Sequence, residues 1–127
     1  MDRTEEREQA LFIKWTHRQT VRAAIPELAH LHHSPNGGRR DAITGAQMVA
    51  LGVKRGWPDL VLPLPGGGLA IEFKSATGRT TAEQDAWLAY FERIGWRAAV
   101  VRSAPEAVAL IAGHFGLPVD ALPGLEA

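Results

Sequence analysis

Asp59, Glu72 and Lys74 are the residues of this 127-residue sequence whose types and spacing fit catalysis. Asp59 opens the run Asp-Leu-Val-Leu-Pro-Leu. Glu72 and Lys74 lie in Leu-Ala-Ile-Glu-Phe-Lys, and Pro65-Gly66-Gly67-Gly68 separates the two runs. Alternating apolar residues on both sides of such a turn predict a β-hairpin, Asp59–Leu64 with Leu69–Lys74, joined by a four-residue loop. With Leu64 opposite Leu69, one face carries Leu60, Leu62, Leu64, Leu69, Ile71 and Phe73. The other carries Asp59, Val61, Pro63, Ala70, Glu72 and Lys74, so every charge of the hairpin shares a face. A one-residue slip of either strand scatters both sets.

In that register Asp59 and Glu72 are diagonal neighbours, with Cβ atoms about 7 Å apart or slightly less. Two converging carboxylates suit a hard divalent cation such as magnesium or manganese. Such an ion polarises a phosphoryl oxygen and lowers the pKa of a bound water. Lys74 points the same way, where an ammonium positions water or stabilises charge on a phosphorane-like transition state. The same pattern also fits a solvated hairpin face on which Lys74 pairs with Asp59, an arrangement that contributes little stability.

The scaffold around these groups can be read from periodicity and punctuation. Thr4 to about Ala24 lacks Pro and Gly and predicts one long helix, capped by Thr4 and ended by Pro26. Ala29–His33 predicts a short strand, followed by a turn at Ser34–Gly38. Asp41–Leu51 predicts a helix stopped by Gly52. Ser75–Arg79 forms a loop, and a helix runs from Ala82 to Ile94 behind a Thr81/Gln84 capping box. Gly95 ends it. Arg97–Arg102 predicts a strand, and a second capping box, Ser103/Glu106, opens a helix to about Phe115. The order is α-β-α-β-β-α-β-α, a mixed β-sheet flanked by helices. The crossover from Leu69–Lys74 to Arg97–Arg102 makes those strands parallel. No repeat or linker divides the chain, which predicts a single domain over 1–127, with a core at about 4–116 and an irregular tail at 117–127.

A Pro-Asp, a short hairpin and then Glu-x-Lys resembles the PD-(D/E)XK nuclease superfamily. Within it the sequence is similar to the VRR-NUC (virus-type replication-repair nuclease) family, in its small stand-alone phage and bacterial form. The resemblance runs from about Thr4 to Gly116. It takes in Glu5 with Gln9, Pro35-Asn36-Gly37-Gly38 with Arg39 or Arg40, Gly52-Val53-Lys54, and Gly56-Trp57-Pro58-Asp59-Leu60. It continues through Ile71-Glu72-Phe73-Lys74, Gly78-Arg79, Gln84 and Gly95.

The resemblance implies a restriction-endonuclease-like core and a Mg- or Mn-dependent endodeoxyribonuclease. Asp59, Glu72 and the backbone carbonyl of Phe73 are its implied metal ligands, and Lys74 its catalytic lysine. An acid of the first helix completes the implied site; Glu5 fits best, on one helical face with Gln9, and Glu8 is its rival. Gln84 stands where the superfamily places a helix glutamine, or serves only as the partner of Thr81. Stand-alone relatives imply a homodimer that cuts branched DNA such as four-way junctions or flaps. The alternatives are a nuclease of single strands or RNA, and a silent DNA-binding or dimerisation module. Trp57 departs from the smaller residue expected there and is either a stacking platform or a packed loop aromatic.

Net charge is zero, with 14 basic and 14 acidic residues, so nucleic-acid contact must come from a local patch. Arg39, Arg40, Lys54, Arg55 and Arg79 lie in or beside loops around the proposed site and predict that patch, with binding that weakens steeply in salt. The absence of cysteine excludes disulfides, thiol catalysis and Cys-based metal sites and fits a reducing cytoplasm, in a bacterium or a phage-infected host. The longest apolar run, Ala107–Ala112, is too short for a membrane span, and the N-terminus lacks the apolar stretch of a secretory signal. His30, His32 and His33 lack the spacing of a zinc motif, and Gly66–Gly68 is a turn rather than a phosphate loop. Trp87, Leu88, Phe91 and Ile94 have helical spacing and suit either core or a dimer surface.

Overall fold

A computed structural model describes residues 2–35 and 42–125. The first helix, α1 (Arg3–Thr16), begins earlier than the sequence suggests. Asp2, not Thr4, is its cap, and the Asp2 carboxylate accepts from the Glu5 N–H at 2.9 Å. The predicted single helix is also broken. Thr16 Oγ1 donates to the Ile13 carbonyl at 2.6 Å and His17 N–H closes onto Lys14, which ends α1 in a tight turn. A second helix, α2 (Gln19–Ala24), then restarts in a direction that buries Val21. Pro26 begins a 3-10 turn, Pro26–His30, in place of the expected strand. Only His32–His33 pair as a strand, β1.

The helix α3 (Ala42–Ala50) ends at Gly52, whose φ of +106° suits glycine and lets its N–H reach the Val49 carbonyl. Then come β2 (Leu60–Leu62), β3 (Leu69–Phe73), α4 (Ala82–Arg93), β4 (Arg97–Val101) and α5 (Ala104–His114). Among the described residues these make one four-stranded mixed sheet in the order β1-β2-β3-β4. β1, β2 and β3 are antiparallel neighbours, and β3 runs parallel to β4 across the α4 crossover. No helix among the described residues is long and apolar enough to cross a membrane.

The hairpin register corrects the predicted one. Leu62 pairs with Leu69, Val61 with Ala70 and Leu60 with Ile71, two residues from the expected alignment. The loop is six residues, 63–68, because Pro63 and Pro65 have no N–H to give the ladder and Gly66 and Gly67 turn with positive φ. A two-residue shift preserves parity, so both faces keep their members. What changes is the neighbour: continuing the observed register by one residue sets Asp59 directly across from Glu72 rather than diagonal to it.

The two faces of the sheet are covered differently. Leu60, Leu62, Leu69, Ile71, Phe73 and Val101 pack with Phe12 and Trp15 of α1 and with Ala107, Val108 and Ile111 of α5. The other face carries Ala70 and Glu72 and lies under α4, where Trp57, Trp87, Phe91 and Trp96 form a separate aromatic group. The tail after Leu117 is not irregular throughout. It makes a 3-10 turn at Val119–Ala121, buries Leu122 in the core, and takes the Trp15 indole N–H on the Pro123 carbonyl at 2.7 Å.

Candidate active site

Asp59 and Glu72 meet at the end of β3, on the α4 face, and both are buried (9% and 3% exposed). Each is held by the other's strand. The Asp59 N–H donates to Glu72 Oε1 at 3.3 Å, and the Phe73 N–H donates to Asp59 Oδ2 at 2.7 Å. Gln84 Nε2 donates to Glu72 Oε2 at 2.9 Å. The same side chain completes the cap of α4, with Oε1 accepting from the Thr81 N–H at 2.8 Å. Gln84 thus caps α4 and touches Glu72 at once: capping fixes the rotamer that reaches Glu72. Gly56 supports this placement. Its φ is +79°, and an added Cβ there would lie 2.6 Å from the Glu83 carbonyl carbon and 2.7 Å from the Gln84 nitrogen. The turn leading to Asp59 is thus pressed against the first turn of α4.

α1 reaches the same end of the sheet from the opposite layer. Glu5 is buried, and its Oε2 accepts from the Ser75 N–H at 3.3 Å. Glu8 points elsewhere: its Oε1 takes the Ala104 N–H at 2.8 Å, satisfying a free donor in the first turn of α5. Of the two rivals it is Glu5 that lies beside the end of β3, at Ser75, next to Lys74. Gln9, one turn on, places Nε2 2.9 Å from His33 Nδ1, and the Asp59 carbonyl accepts from that ring nitrogen at 2.8 Å. Gln9 Oε1 is buried and has no hydrogen-bond partner among the described residues.

Burial dominates the electrostatics. It raises the Asp59 and Glu5 carboxyls above their ordinary values. Glu72 is pushed up to about 9 by burial first and by the Asp59 charge second. The Lys74 ammonium acts against the rise at all three. Fully ionised, three acids and one lysine leave two uncompensated negative charges, the charge of one divalent cation. The donors are carboxylate and backbone oxygens, which suit magnesium or manganese, so the residues present fit such an ion. Among the described residues no three His, Asp or Glu side chains converge as a metal centre. Glu5 flanks the Asp59–Glu72 pair rather than making a triad with it.

The basic candidates are placed unevenly. Arg39 and Arg40 lie outside the described residues. Lys54, Arg55 and Arg79 are exposed. The Arg55 carbonyl receives the Trp87 indole N–H at 3.0 Å, and Arg79 comes directly after Gly78 in the loop that borders Glu5. Trp57 packs edge-on to Trp87 and Phe91, with ring centroids 4.9 and 5.2 Å away. Two residues at the site are missed by sequence reasoning. His33 reads there only as part of a histidine cluster, although a polar ring in an edge strand beside Pro-Asp is a signal. Arg102 gives none, because its partners are two backbone carbonyls of a distant loop.

Comparison with known proteins adds to this geometry. The chain matches the VRR-NUC domain over residues 3–105. It is similar to a solved structure described as a VRR_NUC domain protein, with a TM-score of 0.73 and 26% identity, covering 92% of each chain. A search of curated proteins finds no match.

Proposed function

The chain belongs to the VRR-NUC domain family, nucleases of the PD-(D/E)XK-like superfamily, and on that premise we propose that it is a magnesium- or manganese-dependent endodeoxyribonuclease of branched DNA. One observation carries the catalytic part: Asp59 and Glu72 stand opposite one another on the α4 face, with Lys74 two residues on, immediately after β3.

Asp59, Glu72 and the Phe73 carbonyl would hold the ion. When bound, it supplies Lewis-acid activation of the scissile phosphate and an acidified water. Gln84 keeps Glu72 Oε2 in one orientation, and the Phe73 N–H does the same for Asp59 Oδ2. Lys74 places its ammonium where charge grows on the phosphoryl oxygens. Glu5, braced by the Ser75 N–H, orients the attacking water as a hydrogen-bond acceptor. The water oxygen bonds to phosphorus, the bond to the leaving oxygen breaks, and a proton passes to that oxygen. Lys54, Arg55 and Arg79 contact phosphates away from the break.

The homodimer and the branched substrate rest on the stand-alone form of the family. Tyr90 on α4 and Ile94 just after it are exposed and offer an apolar surface for a second copy, whereas Phe91 is buried. The test is a cleavage panel of linear duplex, single strand, flap and four-way junction, each with magnesium, manganese or EDTA. Metal-dependent cutting with preference for flap or junction is expected. Cutting confined to single strands, or to an RNA strand added to the panel, replaces the substrate, and a protein that binds no manganese by calorimetry is a silent module. Gel filtration at micromolar concentration reads the dimer.

A further inference from the structure

β3 ends at Phe73, and the chain then turns through Ser75–Gly78 before Arg79 and the cap of α4. This short turn serves three groups at once. Lys74 precedes it, the Ser75 N–H holds Glu5, and Arg79 leaves it. Its own side chains bury little: Ala76 and Thr77 are exposed. Segments with few buried apolar contacts open locally at low cost, so the placement of Lys74 and Glu5 needs another restraint.

Arg102, the residue immediately after β4, provides it. A single guanidinium nitrogen, Nη1, donates to the Ser75 carbonyl at 2.7 Å and to the Gly78 carbonyl at 2.6 Å, the two ends of the turn. Inside the turn the Gly78 N–H donates to Ser75 Oγ at 3.0 Å. The arginine is itself anchored, because its backbone N–H donates to Glu106 Oε1 in the first turn of α5 at 3.3 Å. The bond to Ser75 is the informative one. The same residue gives its N–H to Glu5 and its carbonyl to Arg102, so moving one bond disturbs the other. An added Cβ at Gly78 would stand 2.9 Å from Ser75 Oγ and 3.5 Å from Glu5 Oε2, which shows how closely the turn is wrapped on Glu5.

We propose that Arg102 is a positioning residue of the hydrolytic site: it clamps both ends of Ser75–Gly78 and so fixes Lys74 and the Ser75–Glu5 bond before DNA arrives. The proposal rests on the nuclease reading for its kinetic consequence but not for its structural one. Arg102 touches neither phosphate nor ion; it acts through the backbone of the turn. Small misplacements of catalytic groups cost rate, on the order of 100-fold for about 1 Å, and leave ground-state contacts to distant phosphates in place.

The experiment compares wild type, Arg102→Gln and Arg102→Lys as full chains. Steady-state cleavage of the best substrate in the panel gives kcat and KM, and amide hydrogen exchange of the protein alone gives protection at Ser75 and Gly78. For Arg102→Gln, kcat should fall roughly 10- to 100-fold, with KM for DNA unchanged within about twofold. Ser75 and Gly78 should exchange faster while β3 and α5 keep their protection. Arg102→Lys, whose ammonium can still donate to two carbonyls, should restore most of both. An unchanged kcat, a raised KM with kcat intact, or faster exchange spread evenly over β3 and α5 overturns the proposal. If wild type cuts no substrate, the nuclease reading falls, and exchange at Ser75 and Gly78 alone decides whether Arg102 holds the turn.

Discussion

The two faces of the β2–β3 hairpin are built from alternate residues of the same strands, yet they obey opposite rules. The face under α1 and α5 is uniformly apolar. It buries Leu60, Leu62, Leu69, Ile71 and Phe73 completely and contains no charge that needs a partner. The face under α4 is equally dry at Ala70 and Glu72, but there burial raises the energy of the ionised acids instead of lowering that of the fold. One face gains from excluding water, while on the other the same exclusion disfavours the ionised acids, and under the proposed function a cation would relieve that cost. A strand in a mixed sheet can thus be core on its odd residues and site on its even ones.

The most direct challenge to this contrast is to change residues of the two faces separately. Asp59→Asn and Lys74→Ala should lower the metal-dependent cleavage rate by at least 10³-fold, about 4 kcal/mol of barrier, with little change in melting temperature. Mutants that cut at the wild-type rate would remove the proposed chemistry from this face. Phe73→Ala should do the reverse. Its side chain lies among the core aromatics, 6.0 Å from Phe12 between ring centroids, and its loss should cost about 3–5 kcal/mol of stability. Denaturant unfolding measures that cost, and cleavage per folded molecule should change far less.

The pH dependence of stability separates the two faces further. Without metal, the folded protein binds a proton at Glu72 up to about pH 9, whereas the unfolded chain releases it near 4.5. The unfolded state therefore holds fewer protons between those values, and stability should fall as pH rises through that window. Glu72→Gln should flatten the fall and raise the metal-free melting temperature at pH 8, by about 4 °C per kcal/mol of relieved burial cost. Manganese should stabilise wild type more at pH 8 than at pH 6, and the mutant little at either. A melting temperature that rises with pH in the metal-free wild type would contradict the electrostatics of this face. The smallest effect belongs to the exposed cations. Lys54→Ala, Arg55→Ala or Arg79→Ala should each reduce the salt dependence of DNA binding by about 0.9 in the log–log slope if it contacts one phosphate.

Parity is legible in the sequence and absolute register is not, for one physical reason. A period-two pattern assigns each residue to a face but cannot distinguish alignments that differ by two. The tip decides between them, and prolines at 63 and 65 widen the loop beyond four residues. The helix ends at Gly52 and Gly95 are readable because glycine there adopts positive φ. The break after Thr16 is not, since no Pro or Gly marks it and the burial of Val21 that accompanies it depends on the assembled core. The acids of α1 are readable as a group but not as individuals. Three carboxylates in one helical turn look alike until the neighbouring elements are placed, and then Glu5 faces Ser75 while Glu8 faces the start of α5. Arg102 lies beyond reach because a clamp on carbonyls depends on where the backbone passes and not on which residues it carries.

One helix carries obligations to both layers. Glu5, Gln9, Phe12 and Thr16 succeed one another at four-, three- and four-residue steps and are all buried, the first two toward Ser75 and His33 and the third against Phe73. Because each added residue rotates the remainder of the helix by about 100°, the angular phase of the aromatic half dictates that of the acidic half. An insertion anywhere between Gln9 and Phe12 cannot satisfy both, so this stretch tolerates substitution far better than any change in length.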